Sequence, residues 1–270
     1  MNIFNGAAYL VAVLALSLTP ISAKASEGKK LTYAVYTGGM NVVMADLDFK
    51  FSDDASYSAL VSAKTHGFLG KVAPWSGTFE TTGHYKGEKF YPNVHKSVAV
   101  WRGEDDQKAY DYDGKGNLTD FKEVEAGKAK PKKELSAELI KDTTDILSAT
   151  LKVMHNMGRG ESCSSSDDIF DGKRRFALKF EPVSETILKS SRYNIYGGAA
   201  KKCEIMVEPK GGKWHNKPRG WMSIQEQGRE KGALPTIWLG KLKDSDLFVP
   251  VKVKVKTAYG TLMMHLVSSE

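Results

Sequence analysis

Near its end the chain reads Val249-Pro250-Val251-Lys252-Val253-Lys254-Val255-Lys256, four valines alternating with one proline and three lysines. Because successive side chains of a strand point to opposite faces, this segment predicts a strand with one apolar and one cationic face. A turn at residues 258–260 and a second run, residues 261–267, predict an antiparallel hairpin with one face in a core. The lysines then belong either to an ordinary solvated face or to an edge strand that they protect from aggregation.

Short strand-like segments with recurrent turn signals cover most of the chain. Gly38-Gly39 separates the first two segments and predicts a tight hairpin. The other predicted strands alternate in the same way, and the full set is 31–36, 41–49, 56–65, 76–85, 97–102, 107–112, 173–180, 191–196 and 202–208. Strands of this length and spacing are typical of a β-sandwich or a β-barrel. We therefore predict a mainly β protein.

One segment has the periodicity of a helix. The apolar positions that recur at helical spacing are Ile146, Leu147, Leu151, Met154 and Met157. Asp142 or Thr143 can cap its start, and Gly158 fits its end. The apolar stripe needs a partner, and a sheet is the obvious one. The predicted architecture is a strongly curved antiparallel sheet, or partial β-barrel, that wraps one central α-helix.

The start of the chain has the features of an export signal. An apolar run at residues 7–16 is broken by Pro20 and followed by Ala23-Lys24-Ala25. This pattern predicts a cleaved signal peptide at residues 1–25, a single β-rich domain at residues 26–270 and a periplasmic location. An uncleaved anchor is the alternative, but the run is short for a bilayer span, and we expect no transmembrane segment after cleavage. The lysine-rich stretch 128–133 is read as a solvated loop or an internal linker within that domain.

Charge and cysteine usage constrain the partners. The formal net charge is +7, which fits either solvated lysine faces or weak attraction to anionic head groups and acidic glycans. Export makes nucleic acid an implausible partner. Cys163 and Cys203 are the only cysteines. In an oxidising compartment two such cysteines are expected to form a structural disulfide, with a reactive thiol or a metal site as the rival.

Sequence motifs of known enzymes are absent. The chain contains no GxSxG elbow, no HExxH motif and no phosphate-binding glycine loop. His84 and His95 can approach each other only if adjacent strands align them, and the acidic residues 167–171 only partly resemble a calcium loop. We therefore predict no catalytic residue, no metal and no cofactor. An enzyme would need ionisable groups that converge in a pocket, for instance His215, Glu226 and Arg229.

Two aromatic segments supply the candidate binding residues. Residues 67–75 form an apolar loop that either covers an open end of the core or is exposed for lipid or partner contact. Residues 212–221 and their continuation to residue 239 interleave tryptophan with arginine, histidine and glutamine, which suits glycan or head-group contact as well as packing. The candidate ligand-binding residues are Phe68, Trp75, Trp214, Arg219, Trp221 and Trp238.

Several short motifs resemble one family. They are Tyr33-x-Val35-Tyr36-x-Gly38-Gly39, Asp145-Ile146-Leu147-Ser148-Ala149, Phe170-Asp171-Gly172-Lys173-Arg174, the Cys203 strand and Pro250-Val251-x-Val253. Together they resemble the Gram-negative envelope family known as domain of unknown function 3108. The resemblance implies a periplasmic β-rich protein without an established activity. The architecture is also similar to envelope proteins in which an open sheet wraps a helix, although a fold does not fix a function.

The expected function is non-enzymatic binding of an envelope component, either an amphipathic lipid or a glycan, in support of envelope integrity. The alternative is a structural or protein-interaction factor whose interior is filled by the helix and which binds no small ligand. A cavity on the order of several hundred cubic ångströms beside the helix favours the first function, and a filled interior favours the second. The sequence makes no prediction of oligomeric state.

Overall fold

The computed structural model describes residues 27–132, 134–214, 234–243, 245–257 and 260–270. Strands make up most of this part, as predicted. They are β1 (Glu27–Thr37), β2 (Met40–Phe51), β3 (Ser56–Thr65), β4 (Trp75–Lys86), β5 (Lys89–Trp101), β6 (Glu104–Tyr112), β7 (Leu118–Glu125), β8 (Lys128–Ala129), β9 (Ser165–Phe170), β10 (Arg174–Leu188), β11 (Gly198–Gly212), β12 (Thr236–Lys241), β13 (Phe248–Thr257) and β14 (Gly260–Ser269). Three short helices accompany them: α1 (Gly67–Val72), α2 (Ala137–Ile140) and α3 (Ile146–Gly158).

All fourteen strands belong to one sheet in which every neighbouring pair is antiparallel. Their order is β8-β7-β6-β5-β4-β3-β2-β1-β14-β13-β12-β11-β10-β9. Within the described ranges no backbone ladder joins β8 to β9, so these two strands are the edges of a sheet that does not close. The prediction of a single large antiparallel sheet is confirmed, and strands on both sides of the lysine-rich stretch belong to it.

Because neighbouring strands are antiparallel, the connections between them lie at two opposite ends of the sheet. One end, called the α1 end below, carries α1 and the turns β1–β2, β5–β6 and β9–β10. The first of these turns has the predicted form, since Thr37 pairs with Met40 across Gly38 and Gly39. Both glycines have positive φ, 55° and 83°, as a two-residue hairpin turn matched to strand twist requires.

Strand β13 lies between β12 and β14, so the edge-strand interpretation of its lysines is wrong. Val249 and Val251 are buried, but so is Pro250, which lines a cavity against α3, so a register shift interrupts the strict alternation that the sequence predicts. On the opposite face Lys252 is half-buried, and its Nζ lies 4.8 Å from the centroid of the Trp238 ring. Pro250, which has no N–H to donate, sits beside a register shift, the position where a sheet tolerates proline.

The segment 191–196 is a loop, not the predicted strand. The side chain of Ser191 accepts hydrogen bonds from the next backbone N–H groups, which competes with strand pairing. The loop instead donates hydrogen bonds to the sheet at two positions next to shifts in strand register. The Asn194 Nδ2 donates to the Val251 carbonyl at 3.0 Å, and the Ile195 N–H donates to the Leu266 carbonyl at 3.0 Å. Both carbonyls adjoin register shifts that disturb the regular ladder.

Helix α3 forms close to the predicted position, but its N-cap is Asp145, not Asp142 or Thr143. The Asp145 carboxylate accepts a hydrogen bond from the Ser148 N–H at 2.9 Å, the usual capping geometry. The apolar residues that α3 buries are Ala149, Leu151, Val153, Met154 and Met157. They pack against strands β4, β5, β9 and β13.

The two cysteines lie at disulfide distance, with their sulfur atoms 2.03 Å apart. Cys163 follows α3 and Cys203 belongs to β11, and both are buried. Their pairing therefore ties the C-terminal end of the longest helix to the sheet.

Candidate functional site: a groove between the sheet edges

The strands near the two sheet edges are in contact through their side chains. An aromatic and apolar cluster, called the seam below, joins β6 and β7 to β9; its buried members are Tyr110, Tyr112, Leu118, Phe121 and Phe170. The rings of Phe121 and Phe170 meet nearly at right angles with centroids 5.8 Å apart. Such edge-to-face pairs add to the stabilisation that burial already provides. The seam therefore holds together two edges that no backbone ladder joins in the described chain.

Polar contacts and one glycine complete the seam. The Lys108 Nζ donates to the Asp171 carbonyl at 2.9 Å, and the Lys173 Nζ lies 3.4 Å from a Glu123 carboxylate oxygen. Gly172 has a φ of 93°, and a Cβ at this position would overlap the Phe121 ring. The β9–β10 turn therefore needs glycine both for its backbone angle and for the close approach of Phe121.

A groove of about 920 Å³ opens beside the seam. Its apolar floor consists of Leu135, Leu139 and Phe170. Four cationic side chains line it, and they are Lys108, Lys173, Arg174 and Lys213; the acidic side chains that line it are Glu134 and Asp171. The groove therefore combines an apolar floor with an excess of positive charge.

Ion pairs fix the orientation of the cations near the groove. The Arg174 Nε donates to Asp171 Oδ2 at 2.8 Å. Burial lowers the pKa of Lys108, an effect that the nearby Asp171 and Glu123 partly offset. Asp168 accepts hydrogen bonds from Lys210 and Arg175. Burial raises the pKa of the Asp168 carboxyl, but these hydrogen bonds have the larger effect, and the pKa is lowered. The four cationic side chains that line the groove are called the basic wall below. The contacts with Asp171 and Asp168 order this region before any ligand binds.

Trp214 lies beside this basic wall. The Arg174 guanidinium carbon is 4.8 Å from the centroid of the Trp214 ring, a cation–π distance. The indole N–H donates to the Gly211 carbonyl at 2.8 Å, and the ring meets Phe176 edge-on. Trp214 is thus the predicted binding residue that the structure places next to the groove, with its ring held in a fixed orientation.

The other predicted residues do not converge on the groove. Phe68 and Trp75 lie at the α1 end, and no residue of α1 is fully buried, which favours the exposed alternative for this loop over the covering one. Trp238 lies on the sheet face opposite the buried Ile237 and Leu239, beside Lys252. Arg219 and Trp221 fall outside the described residues. The same is true of His215, Glu226 and Arg229, the example considered for an enzyme site.

The two histidines considered for zinc are held apart. His84 stacks on Tyr91 at 5.3 Å, whereas His95 pairs in register with Thr81 and lies 3.4 Å from Asp145. Asp167 and Asp168 belong to β9, not to the turn that a calcium loop requires. In the described ranges no group of three or more histidine, cysteine and acidic residues is placed to hold a metal ion.

A buried polar cluster lies at the start of α3, and no sequence motif predicts it. Asp145 Oδ2 accepts from the Ser148 Oγ at 2.6 Å and from the Thr81 Oγ1 at 3.0 Å. The Tyr57 hydroxyl lies 2.8 Å from the Ser148 Oγ. These four side chains are buried. Although Asp145, Ser148 and the adjacent His95 are the residue types of a hydrolase triad, Ser148 donates directly to the carboxylate. The cluster anchors the helix to β3 and β4.

A second, smaller cavity lies between α3 and the sheet. Its volume is about 160 Å³, and its walls include Leu151, Met154 and Tyr33. This is below the several hundred cubic ångströms that a lipid-binding interior requires. The space beside the helix is therefore largely filled by side chains.

A comparison with protein-family models identifies the family of this chain. A family model described as "Protein of unknown function (DUF3108)" matches residues 32–267. The chain belongs to the DUF3108 family. No curated protein matches it. The resemblance inferred from the short sequence motifs is thus confirmed, and it assigns no activity.

A solved structure shares the fold of this DUF3108 protein. It is described as a beta-barrel-like protein of domain of unknown function DUF1849 from Brucella abortus. The two chains are 9% identical, with a TM-score of 0.50, and the match covers 90% of this chain and 97% of that one. The likeness supports a barrel-like arrangement of the sheet. None of the helices in the described ranges is long and apolar enough to cross a membrane.

Proposed function

We propose that this protein is exported to the periplasm and binds an anionic amphipathic lipid of the cell envelope in the groove between the sheet edges. The observation that carries the proposal is the apolar floor of Leu135, Leu139 and Phe170 beneath a basic wall. Such a site matches a molecule with an acyl chain and a negatively charged head group. Binding in support of envelope integrity needs no catalytic step.

The chemistry of the wall fits a phosphate or carboxylate head group. The Arg174 Nε and one Nη already contact the Asp171 carboxylate, so only the remaining N–H groups of this guanidinium can donate to an oxyanion, and Lys173 and Lys213 add positive charge. The groove volume of about 920 Å³ lies within the range of about 300–1,000 Å³ typical of small-molecule sites. The apolar floor favours a lipid over a glycan, because a sugar gains little from contact with leucine side chains.

The proposed location differs from the concave interior that a lipid carrier would use. The apolar stripe of α3 packs against both halves of the sheet, and the cavity beside it is about 160 Å³. In this proposal the curved sheet wraps α3 as its central helix, and the ligand lies where the sheet edges meet. Removal of residues 1–25 as a signal peptide and a disulfide between Cys163 and Cys203 fit the export that the proposal requires.

A second candidate function rests on the filled interior. A structural or protein-interaction factor needs no ligand cavity, and the small cavity beside α3 suits such a role. In that case the groove is a surface feature without an occupant. The two candidates differ in one measurable property, which is lipid binding.

Native mass spectrometry of protein purified from the periplasm tests the proposal. We expect an anionic lipid to co-purify, or to bind on addition of a short-chain phosphatidic acid. Leu139→Asp in the floor and Lys213→Glu on the wall should each weaken that binding at least tenfold. Lys86→Glu makes the same charge change on an exposed residue at the opposite end of the sheet and should have no effect. Absence of any bound lipid, or equal binding by all three variants, would overturn the proposal.

A further inference from the structure

A row of basic and aromatic side chains crosses four strands on the face of the sheet opposite the core. Lys202 in β11 pairs in register with Trp238, Trp238 with Lys252, and Lys252 with His265 in β14. Because residues directly opposite each other in antiparallel strands share a face, these four side chains are neighbours. They are called the outer row below.

The positive charge of the outer row is not neutralised. Strands β12, β13 and β14 contain no acidic residue. Of the two acidic residues in β11, Glu204 pairs in register with Thr236, and Glu208 forms an ion pair with Lys179 at 2.7 Å. Within the described ranges no ion pair joins the outer row to a carboxylate, and the contact of the Lys252 Nζ is the Trp238 ring at 4.8 Å. A cluster of this kind attracts an anion.

Lys252 and His265 form the centre of this positive region. Burial and the charge of Lys254 lower the pKa of Lys252, and burial and the charge of Lys252 lower the pKa of His265. The side chains that face His265 are Lys252 from β13 and Tyr36 from β1, whose ring centroid is 6.1 Å away. The buried His265 Nδ1 has no hydrogen-bond partner in the described structure. A protonated His265 therefore lacks a compensating carboxylate, which an external anion can replace.

The loop 191–196 borders the outer row. Its hydrogen bonds to the carbonyls of Val251 and Leu266 hold it against the residues that directly adjoin Lys252 and His265 in the chain. The loop and the two strands thus form a recess with one fixed side.

The loop also adds charge to this recess. The ring of Tyr193 packs edge-on against Tyr36, with centroids 5.0 Å apart, and the Arg192 guanidinium carbon lies 4.6 Å from the Tyr193 ring centroid. The loop therefore contributes one cation, and its sequence contains no acidic residue.

We propose that Lys252 and His265 bind the phosphate group of a water-soluble phosphate ester, such as a sugar phosphate, on this outer face. A lysine ammonium is a compact point charge that suits a phosphate, whereas carboxylates are matched best by the planar fork of arginine. None of the large apolar side chains that the described residues expose belongs to β12, β13 or β14, so an acyl chain would find no support here. The inference goes beyond the groove function, since it requires neither Leu139 nor Lys213.

Isothermal titration calorimetry with glucose 6-phosphate and with glucose tests the site. We expect the phosphate ester to bind and glucose not to bind. Lys252→Met keeps an unbranched side chain beside Trp238 but removes the charge, and it should weaken binding by about tenfold. Lys179→Met is the matched control, because Glu208 already neutralises that lysine, and it should leave the affinity unchanged.

Sulfate isolates the part played by His265, because the charge of sulfate stays constant between about pH 5.5 and pH 7.5, where histidine titrates. Sulfate binding should strengthen by about threefold on acidification over this range, and His265→Gln should remove that dependence. Bound sulfate should also raise the His265 pKa, measured from the ring-proton shifts in nuclear magnetic resonance spectra. An unchanged His265 pKa would count against the site.

The groove and the outer row fail separately. The outer-row proposal is wrong if glucose 6-phosphate does not bind, or if it binds Lys252→Met as tightly as Lys179→Met. It is also wrong if Leu139→Asp abolishes this binding and Lys252→Met does not, because the phosphate ester would then occupy the groove. A failure of lipid binding in the groove would leave these measurements unaffected.

Discussion

The ring of Phe121 lies edge-on to the ring of Phe170, with centroids 5.8 Å apart, although the two residues belong to opposite margins of the sheet. Phe170 ends the edge strand β9, and Phe121 lies in β7, next to the other edge strand. In the described chain these margins share no backbone ladder, so side-chain burial holds them together. The shape of the groove therefore depends on the seam.

Truncation of the seam should be costly. We expect Phe170→Ala to lower the free energy of unfolding by about 3–5 kcal/mol, because it removes a buried ring and leaves a cavity. Urea unfolding followed by circular dichroism measures the change. Phe68→Ala is the control, and its 74% exposed ring should change stability by less than about 0.5 kcal/mol. Similar stabilities for the two variants would contradict the role assigned to the seam.

Asp145 should be a main anchor of α3. Asp145→Ala removes the helix cap and leaves the buried hydroxyls of Thr81 and Ser148 without this acceptor. We expect a loss of about 3 kcal/mol, from about 1 for the cap and about 1–3 for buried donors that lose their acceptor. Asp145→Asn should cost less because its amide oxygen still accepts. Asp54→Ala, in an exposed turn where Asp54 bonds Ser56, serves as the control and should cost under about 1 kcal/mol.

The disulfide should contribute to stability. The cysteines are separated by 40 residues, for which the chain-entropy relation gives about 4 kcal/mol. Peptide mapping without reductant should find Cys163 linked to Cys203, and the double substitution Cys163→Ser/Cys203→Ser should unfold at lower urea concentration. Recovery of both peptides with free thiols would show that the bond is absent from the purified protein.

Four buried tyrosines predict sensitivity to alkali. Burial raises the pKa of Tyr33, Tyr57, Tyr110 and Tyr112, and the nearby Asp145 carboxylate adds to the effect at Tyr57. The unfolded chain loses these protons near pH 10. The folded chain keeps them, so their contribution is intact below pH 10 and stability falls as the pH rises further. The expected slope is about 1.4 kcal/mol per pH unit for each such tyrosine.

Unfolding measured between pH 9 and pH 11, together with phenolate absorbance, checks this prediction. Tyr112→Phe is the informative variant, because the buried Tyr112 hydroxyl has no hydrogen-bond partner in the described structure. It should cost little at neutral pH and make the alkaline slope shallower. An unchanged slope would mean that Tyr112 ionises normally in the folded protein.

Local patterns predicted many of the strands and the longest helix, because alternation and helical periodicity are properties of consecutive residues. These local patterns lead to wrong predictions where one residue type is compatible with both a strand and a loop. The partial resemblance to a calcium loop suggests a turn at Asp167 and Asp168, yet they belong to β9, where Lys152 and Arg175 neutralise them across elements. Ser191 and Asn194 appeared compatible with a strand, yet their side chains hold a loop. Of the candidate binding residues, Trp214 lies beside the groove, while Phe68 and Trp75 lie at the α1 end.

The amino-acid sequence is sufficient to predict the class of fold, the start and end of α3 to within a few residues and, through short motifs, the family. These depend on the order of neighbouring residues along the chain. The contact of Phe121 with Phe170 and the groove that Leu139 and Lys213 share are visible only in the folded chain. Such contacts join residues far apart in the chain, and they depend on the bend of the whole sheet, which is the sum of many strand twists and is set by no single segment.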